Sequence, residues 1–415
     1  MRLLADLHVH SRFSRGTSPK LSLETMSRGA KVKGLDILGT GDFTHPAWME
    51  ELKSKLKPSG FDGIYSFGGI FFVVQTEVSL IFSKGGSEHR IHLIVLAPSL
   101  ESADQISETL SKWGDLNLDG RPTLKVSAPE FVEAVTELDP WIEIIPAHVW
   151  TPWYSLFGSR SGFDSVEEAF GDQAWKIHAL ETGLSSDPPM NWMVSQLDRY
   201  SLVSFSDAHS ASPRRLGREA TAFDLREPSY RSLISALRGA GSSSIAFTVE
   251  VDPAYGKYHF DGHRTCGIKM HPREAEKRSN LCPVCGKPLT VGVLHRVLEL
   301  ADRPEGYVPE GARPFIRTVP LHDLLGAALG LSPDSPRVER EYLALVRRFG
   351  TEFSVILNSS PEGVSDERVK RILELARAVR SGEIEIEPGY DGVYGRILID
   401  RPHDGVSPPS LLDYL

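Results

Sequence analysis

The segment LLADLHVHSRFS, residues 3–14, places two histidines on alternate positions near the start of the chain. In a strand, alternate side chains point to the same side, so His8 and His10 could both reach one metal ion. An isolated His-x-His pair recurs by accident and more often consists of ordinary structural histidines. The pair therefore predicts a metal site only if the rest of the chain supplies further ligands.

Further carboxylates and imidazoles lie in or directly after apolar, strand-like runs. These runs are GLDILGTGD, GIFFVVQTEVSL, RIHLIVLAP, WIEIIPAHVW and SLVSFSDAH. The candidate ligands in them are Asp42, Glu77, His92, His148, Asp207 and His209. Since the carboxyl ends of successive barrel strands form one rim, side chains placed there can converge. Together with the opening pair, these residues predict a metal-dependent active site.

The strand-like runs alternate with helical patterns such as LSLETMSRGAKVKG and SAPEFVEAVTEL over about the first 250 residues. This alternation predicts an α/β fold, either a barrel or a doubly wound sheet. The 415 residues, 40% of them hydrophobic, are enough for two or three domains. We see neither a signal peptide nor an apolar run of about 18 residues, which predicts a cytoplasmic protein without a membrane anchor.

A cluster of carboxylates and imidazoles suits the hydrolysis of phosphoesters. Divalent ions clamp the phosphoryl oxygens, lower the pKa of an attacking water and stabilise the leaving oxygen. Mixed nitrogen and oxygen ligands are compatible with Zn, Mn or Fe, and the sequence does not choose among them. We therefore expect catalysis by Asp42, Glu77, His148, Asp207 and His209 through bound metal rather than through a protein nucleophile.

A second set of candidate ligands lies beyond the strand-rich region. His263-x2-Cys266 and Cys282-x2-Cys285 form two closely spaced pairs, which is typical of a structural zinc site. His271 or His259 could replace the histidine ligand. Residues 256–296 contain eight Lys or Arg, including Lys277 and Arg278, against three acidic residues, whereas the whole chain carries a net charge of −9. A basic module on an acidic body indicates a site for a partner such as nucleic acid.

Several residues near the candidate metal ligands could bind substrate. Arg218, with Arg214 or Arg215, could hold phosphate oxygens, although surface arginines are often only solvated. Trp150, Trp153 and Tyr154 follow His148 and could stack on a base, and core packing is the alternative for at least one of them.

Four motifs in order, DLHVHS, TEVSL with IHLIV, PAHVWTP and SFSDAHS, resemble those of the polymerase and histidinol phosphatase (PHP) domain. The resemblance implies a distorted barrel that hydrolyses phosphoesters with two or three divalent ions, Zn, Mn, Fe or Mg. It implies that His8, His10 and Asp207 hold one ion, that Glu77 bridges to a second ion held by His92 and His148, and that His209 holds a third. The chain departs from the common pattern at Asp42, where many members have a histidine, and at Gly16, where some do.

The PHP-like region followed by a zinc module, introduced by GKYH, resembles the endonuclease Q family. That resemblance implies cleavage of DNA 5′ to a deaminated or damaged base such as uracil, hypoxanthine, xanthine or an abasic site. Related PHP segments occur joined to UvrD-like helicases, so a helicase partner is also expected. Two alternatives remain open: a phosphatase acting on a small phosphomonoester such as histidinol phosphate, and a helicase-associated DNA-binding module.

The predicted architecture has three parts. Residues 1–250 form the PHP-type α/β barrel, residues 251–298 the basic zinc-ribbon-like module, and residues 299–415 a mostly helical C-terminal region. A linker, LADRPEGYVPEGARP, separates the second part from the third. The segment EIEPGYDGVYGRILI predicts a terminal strand or hairpin.

Overall fold

The computed structural model describes residues 1–398 and has a mixed α/β architecture, which confirms the predicted fold class. The strands are β1 (Arg2–Asp6), β2 (Ile37–Gly39), β3 (Lys57–Pro58), β4 (Tyr65–Phe67), β5 (Ile70–Lys84), β6 (Ser87–Ala97), β7 (Thr123–Leu124), β8 (Glu143–Pro146), β9 (Ala179–Glu181), β10 (Ser201–Val203), β11 (Ala220–Asp224), β12 (Ser244–Val251), β13 (Asp261–His263), β14 (Ile268–Met270), β15 (Phe315–Thr318), β16 (Glu385–Glu387) and β17 (Arg396–Leu398). The α-helices are α1 (Leu23–Lys33), α2 (Pro46–Lys55), α3 (Leu100–Leu110), α4 (Ala128–Thr136), α5 (Val166–Phe170), α6 (Pro188–Trp192), α7 (Tyr230–Leu237), α8 (Pro272–Glu276), α9 (Val293–Leu300), α10 (Leu321–Leu329), α11 (Pro336–Phe349) and α12 (Glu367–Ser381). Residues 399–415 of the predicted C-terminal region lie outside the described residues.

The main sheet is mixed. Strands β1, β2 and β5 run parallel to one another. On the other side of β1, β11 pairs antiparallel with β1, and β12 pairs antiparallel with β11. The longest feature of the sheet is the β5–β6 hairpin, which turns at Gly85 and Gly86 with φ of 59° and 83°. Two consecutive positive φ values are typical of tight hairpins and favour glycine. The hairpin register pairs Ser79 with His92 and Glu77 with Ile94. Glu77 and His92 therefore lie diagonally on the same face of the sheet.

The parallel pair β9–β10 lies between the carboxyl end of β8 and that of β1. The amide of Val149 donates to the carbonyl of Glu181 at 3.0 Å, and the amide of Ala208 donates to the carbonyl of His8 at 3.3 Å. Inward side chains of the surrounding strands pack together as one buried apolar cluster. Its strand members include Ala5, Ile37, Val73, Ile94, Ile145, Ala179, Val203 and Phe223. Filling the space between strands in this way is how small barrels build their interior.

The zinc-module residues form a compact unit of their own. Strands β13 and β14 pair as a short antiparallel hairpin, and α8 and α9 follow. Met270, Ala275, Cys282 and Leu289 form its small buried cluster. Arg296 on α9 donates to the carbonyl oxygens of Phe157 at 3.1 Å and Phe163 at 3.2 Å. The unit is thereby attached to the loop that follows β8.

The C-terminal helices return to the main sheet. After the predicted linker, β15 pairs in parallel with β12, and α10, α11 and α12 follow it. The predicted terminal hairpin is present as β16 and β17. Among the residues that the structure describes, no helix is long and apolar enough to cross a membrane.

A buried ion pair joins the first helix to this C-terminal region. The ammonium of Lys33, at the end of α1, lies 2.8 Å from a carboxylate oxygen of Glu352, and both side chains are almost fully buried. The second oxygen of Glu352 accepts from the hydroxyl of Tyr342 at 2.9 Å. A buried charge is stable only when its partner remains, so this carboxylate holds α1 and the C-terminal helices together.

Replacing Glu352 by Ala should destabilise the protein strongly because it leaves the Lys33 ammonium buried without a counter-charge. We expect a loss of about 3–5 kcal/mol, measured from the shift of the urea unfolding midpoint. Asp104→Ala is the matched control, since its pair with Lys53 is about half exposed and should contribute about 1 kcal/mol or less. Equal midpoint shifts for the two variants would contradict the role given to Glu352.

Candidate active site

Four predicted ligands meet beneath the carboxyl ends of β1 and β10. The ligand atoms of His8, His10, Glu77 and Asp207 all lie within 4.8 Å of one another. His10 Nε2 lies 3.2 Å from a Glu77 oxygen and 3.1 Å from an Asp207 oxygen. His8 Nε2 is buried and has no hydrogen-bond partner among the described residues. A buried nitrogen without a partner, facing two carboxylates, fits a metal ligand.

A second group shares Glu77 with the first. His92 Nδ1 lies 2.8 Å from Glu77 Oε1, and His148 Nε2 lies 3.2 Å from the same oxygen. The two ring nitrogens are 3.3 Å apart, so both point to one place. Burial lowers the pKa of His92 to about 4, which leaves its imidazole neutral, as a metal ligand must be. The donor set therefore fits two divalent ions with Glu77 between them.

Two carboxylates orient the histidines of the first group from behind. Glu181 accepts from His8 Nδ1 at 2.9 Å and from the amide of His148 at 2.6 Å. Asp42 accepts from His10 Nδ1 at 2.9 Å. Such contacts select the tautomer whose other nitrogen faces the metal. Sequence analysis missed Glu181, although an acid at the end of the strand-like run HALE was a usable signal.

Asp42 was predicted to be a metal ligand. Among the described residues it belongs to neither of the two groups whose ligand atoms converge. One of its oxygens is bonded to His10, and the other accepts from the amide and hydroxyl of Ser11, both at 2.6 Å, and from the hydroxyl of Ser14 at 3.0 Å. One oxygen of Asp42 thus contacts His10 and the other contacts the two serines. The structure places Asp42 as a residue that orients His10.

His209 lies at the edge of the first group. Its ring is 4.7 Å from that of His10, and its Nδ1 bonds to the carbonyl of Asp207 at 2.9 Å. Within residues 1–398, His209 belongs to neither of the two groups whose ligand atoms converge. The third ion that the resemblance implies for His209 therefore stays a prediction.

Arg121 is a residue of this site that sequence analysis missed, and no motif marks it. Its guanidinium lies 3.0 Å from Glu77 Oε2. Burial alone would raise the pKa of Glu77, but the side chains around it, among them the Arg121 guanidinium, hold that pKa well below its ordinary value. Glu77 is therefore held as an anion, the form in which a carboxylate would bind a metal ion.

The backbone is strained around these ligands. Asp42, His148, Tyr154 and Asp207 have positive φ values of 43°, 33°, 59° and 47°. Non-glycine residues rarely adopt this region, and such strain persists where the surroundings enforce it, often at functional sites. Asp42, His148 and Asp207 each follow closely after a strand, β2, β8 and β10 respectively.

The two ligand groups open on a cavity of about 830 Å³. His92, His148, Asp207 and His209 line its floor, and Trp153, Tyr258 and Lys257 line its walls. Trp153 is 41% exposed, and its ring lies 5.4 Å from that of Tyr258 in an edge-to-face arrangement. Aromatic and cationic walls beside metal ligands suit a substrate that combines a flat ring with a phosphate.

The other predicted substrate residues differ in position. Tyr154 lines the cavity and packs on His92 at 5.0 Å. Arg218 also lines it and donates to the carbonyl of Ser206 at 2.9 and 3.0 Å. Arg215 lines the cavity and is exposed.

Two predicted substrate residues face away from the cavity. Trp150 is fully buried and donates to Asn191 at 2.8 Å, so it offers no stacking surface. Arg214 pairs with Asp323 at 2.8 Å and Asp334 at 2.6 Å, so its charge is already neutralised.

The predicted zinc ligands converge. The ligand atoms of His263, Cys266, Cys282 and Cys285 lie within 4.8 Å of one another, in a mixed set typical of structural zinc. The alternatives lie elsewhere: His271 caps α8, accepting from the amide of Arg273 at 3.3 Å, and His259 lines the cavity.

No family model matches the chain. The chain is similar to the lesion-specific endonuclease PfuEndoQ from Pyrococcus furiosus, whose crystal structure superposes with a TM-score of 0.86. The two sequences are 33% identical, and the match covers 96% of each chain. The chain belongs to the endonuclease Q family. A structure of endonuclease Q with a 27-mer duplex substrate, carrying an abasic lesion at the active site, has the same identity and TM-score over 97% of this chain and 98% of that one. The uncharacterized protein YqxK of Bacillus subtilis (strain 168) is 28% identical over 95% of this chain and 99% of its own length.

Membership of the endonuclease Q family confirms the resemblance of the PHP motifs and the zinc module to that family. It also identifies the chain as a hydrolase, and the converging ligand groups fit divalent metal ions.

If Glu77 bridges two ions, Glu77→Gln should lose at least one divalent ion per chain, because a neutral amide is a poor bridging ligand. Glu181→Gln should keep both sites but weaken metal affinity by about 10- to 100-fold, since it only orients His8. Elemental analysis after dialysis against Mn²⁺ measures both effects. Glu88→Gln, an exposed change on the same hairpin, is the control. Full metal content in Glu77→Gln would exclude the bridge.

Cys282→Ser should remove one zinc and expose residues 256–296 to protease, because so small a module depends on its metal for folding. His271→Ala should retain zinc. Zinc content by elemental analysis and limited proteolysis check this, and zinc loss from His271→Ala instead would indicate a different ligand set.

Proposed function

We propose that this chain is a metal-dependent DNA endonuclease that acts on damaged DNA and hydrolyses the phosphodiester bond 5′ to the damaged nucleotide. The observation that carries the proposal is the pair of ligand groups sharing Glu77 at the floor of an 830 Å³ cavity with aromatic and cationic walls. The family assignment and the relative bound to a duplex with an abasic lesion support it. Its substrates would be uracil, hypoxanthine, xanthine and abasic sites in DNA.

A cavity beside the metal ligands is needed because a duplex hides the atoms that distinguish damaged bases. Uracil differs from thymine by one methyl group, so reliable discrimination requires the nucleotide to leave the stack and enter a pocket. Trp153 and Tyr258 would pack against the extruded nucleotide, and Lys257 would face its phosphates. A small phosphomonoester would need neither this width nor the basic module.

Each group of side chains has a distinct role in this proposal. His8, His10 and Asp207 would hold one divalent ion with Glu77, and His92 and His148 a second. Bound ions neutralise the charge of the phosphodiester and activate water for attack. The chain's own contribution is to fix the ligands through Glu181 and Asp42 and to bind phosphate through Arg218.

The parts of the chain would divide the work. Residues 1–250 would carry hydrolysis, while residues 251–298, with one structural zinc, would hold the flanking duplex. Lys277 and Arg278 are exposed on this module and would contact phosphates. Residues 299–415 would support the cavity walls.

The decisive experiment is cleavage of labelled duplexes with Mg²⁺ or Mn²⁺. Each duplex carries uracil, hypoxanthine, xanthine, an abasic site or no lesion, and histidinol phosphate is tested in parallel. We expect a nick 5′ to the lesion and no phosphate release. Phosphate release with intact DNA would instead establish a phosphatase.

Trp153→Ala should reduce kcat/KM on the lesion duplex because a stacking surface worth about 1–3 kcal/mol is lost. The matched control is Trp175→Ala, which removes an indole that is 70% exposed and does not line the cavity. Nicking rates on lesion and undamaged duplexes measure the effect. Equal losses in both variants would argue against a flipped nucleotide in this cavity.

A further inference from the structure

A second cavity, of about 280 Å³, lies beside the metal-lined one. The residues that line both are Leu184, Arg215, Arg218, Gly256 and Tyr394. The remaining lining residues come from the arginine-bearing loop, from β12 and the segment after it, and from the C-terminal region: Arg214, Val251, Tyr255, Pro320, Asp323 and Pro333. The metal ligands proposed above are not among the described residues that line this second cavity.

The charge of the second cavity is positive. Asp323 and Asp334 neutralise the guanidinium of Arg214. Within residues 1–398, neither Arg215 nor Arg218 has a carboxylate oxygen within 4.0 Å in an ion pair. Arg218 donates only to a backbone carbonyl. Arg215 and Arg218 form no close ion pair among the described residues and line the same space, which suits a phosphate.

The rest of the second cavity is apolar and aromatic. Tyr255 is fixed because its hydroxyl donates to Asp323 at 2.8 Å. Tyr394 is 52% exposed and carries the Lys257 ammonium 5.7 Å from its ring centre. Leu184 and Val251 complete the apolar surface. Aromatic rings beside paired arginines are the usual surroundings of a single-stranded nucleotide.

We propose that the second cavity binds the nucleotide that adjoins the damaged one in the strand that is cut. This inference rests on the proposed function, which assigns the metal-lined cavity to the damaged nucleotide. Two nucleotides joined by one phosphate can occupy two cavities only if these share a wall, and Arg215 and Arg218 form that wall. The arginines bind the phosphate adjoining the scissile one, and Tyr394 packs against the neighbouring base. The enzyme therefore binds two consecutive nucleotides of the cut strand, one in each cavity.

The test replaces one phosphate at a time by a neutral methylphosphonate, over the three phosphates on either side of the lesion. Wild type, Arg215→Gln and the control Arg368→Gln, which removes an exposed charge on α12, are compared on each duplex. In wild type and the control, one replacement next to the scissile phosphate should lower kcat/KM by about ten- to a hundredfold. In Arg215→Gln the same replacement should have a smaller effect, because only Arg218 remains to bind that phosphate. The position shows whether the bound nucleotide lies on the 5′ or the 3′ side.

A second arm removes the neighbouring base instead of the phosphate. An abasic nucleotide at the position found above should lower kcat/KM in wild type and not in Tyr394→Leu. Additive effects of Arg215→Gln at every phosphate, or loss of additivity at the scissile phosphate alone, would overturn the subsite while the endonuclease activity stands. Failure of wild type to cut any unmodified lesion duplex would overturn the proposed function and the subsite with it.

Discussion

Glu77 lies fully buried in the middle of β5, and its two oxygens contact side chains from four other segments of the chain. His92 lies 2.8 Å away, Arg121 3.0 Å, and His10 and His148 each 3.2 Å. A carboxylate so deep in a protein is costly unless cations or metal ions surround it. The carboxyl ends of β1 and β8 and the middle of β6 must therefore all approach one point on β5. That requirement explains why the long β5–β6 hairpin needs its register and why strained backbone is tolerated around the ligands.

The same requirement extends one layer outward. An imidazole can face a metal with one nitrogen only if its other nitrogen is fixed, and the chain supplies a buried carboxylate for each histidine of the first group. Glu181 does so for His8 and Asp42 for His10. Asp42 and Asp207, as well as His148, adopt positive φ, a conformation that costs free energy which packing must offset. The strained backbone lowers the stability of the fold, and it places these side chains at the ligand groups.

What the sequence could predict follows from how local each signal is. His8, His10 and Glu77 stand in or next to strands with apolar neighbours, so alternation and strand ends revealed them. Asp42 was predicted to be a metal ligand, and the sequence could not show that His10, Ser11 and Ser14 would bond to its oxygens. The residue pattern within one segment does not show which distant segment the folded chain brings into contact with it.

Other differences between the sequence analysis and the structure have the same origin. Arg121 has no motif because its role depends on Glu77, 44 positions earlier in the chain. Arg214 looked like a phosphate ligand because Asp323, 109 positions later, was not known to lie against it. Trp150 directly follows the PAHV motif in the chain, yet its ring turns into the core. Residue type near a motif indicates chemistry only when the direction of the side chain is also known.

The C-terminal region and the zinc module help to fix the shape of the cavities, although they supply none of the ligands in the two groups that share Glu77 among the described residues. Asp323 on α10 binds both Arg214 and the hydroxyl of Tyr255, so one carboxylate connects the arginine-bearing loop with the segment leading into the module. On the opposite side, Arg296 of the module holds the loop after β8, which carries Trp153. The cavity walls thus belong to different parts of the chain, and a handful of long-range polar contacts sets the distance between them. If a flipped nucleotide enters this cavity, as proposed above, the width that these contacts set would affect specificity together with the residues that touch the substrate.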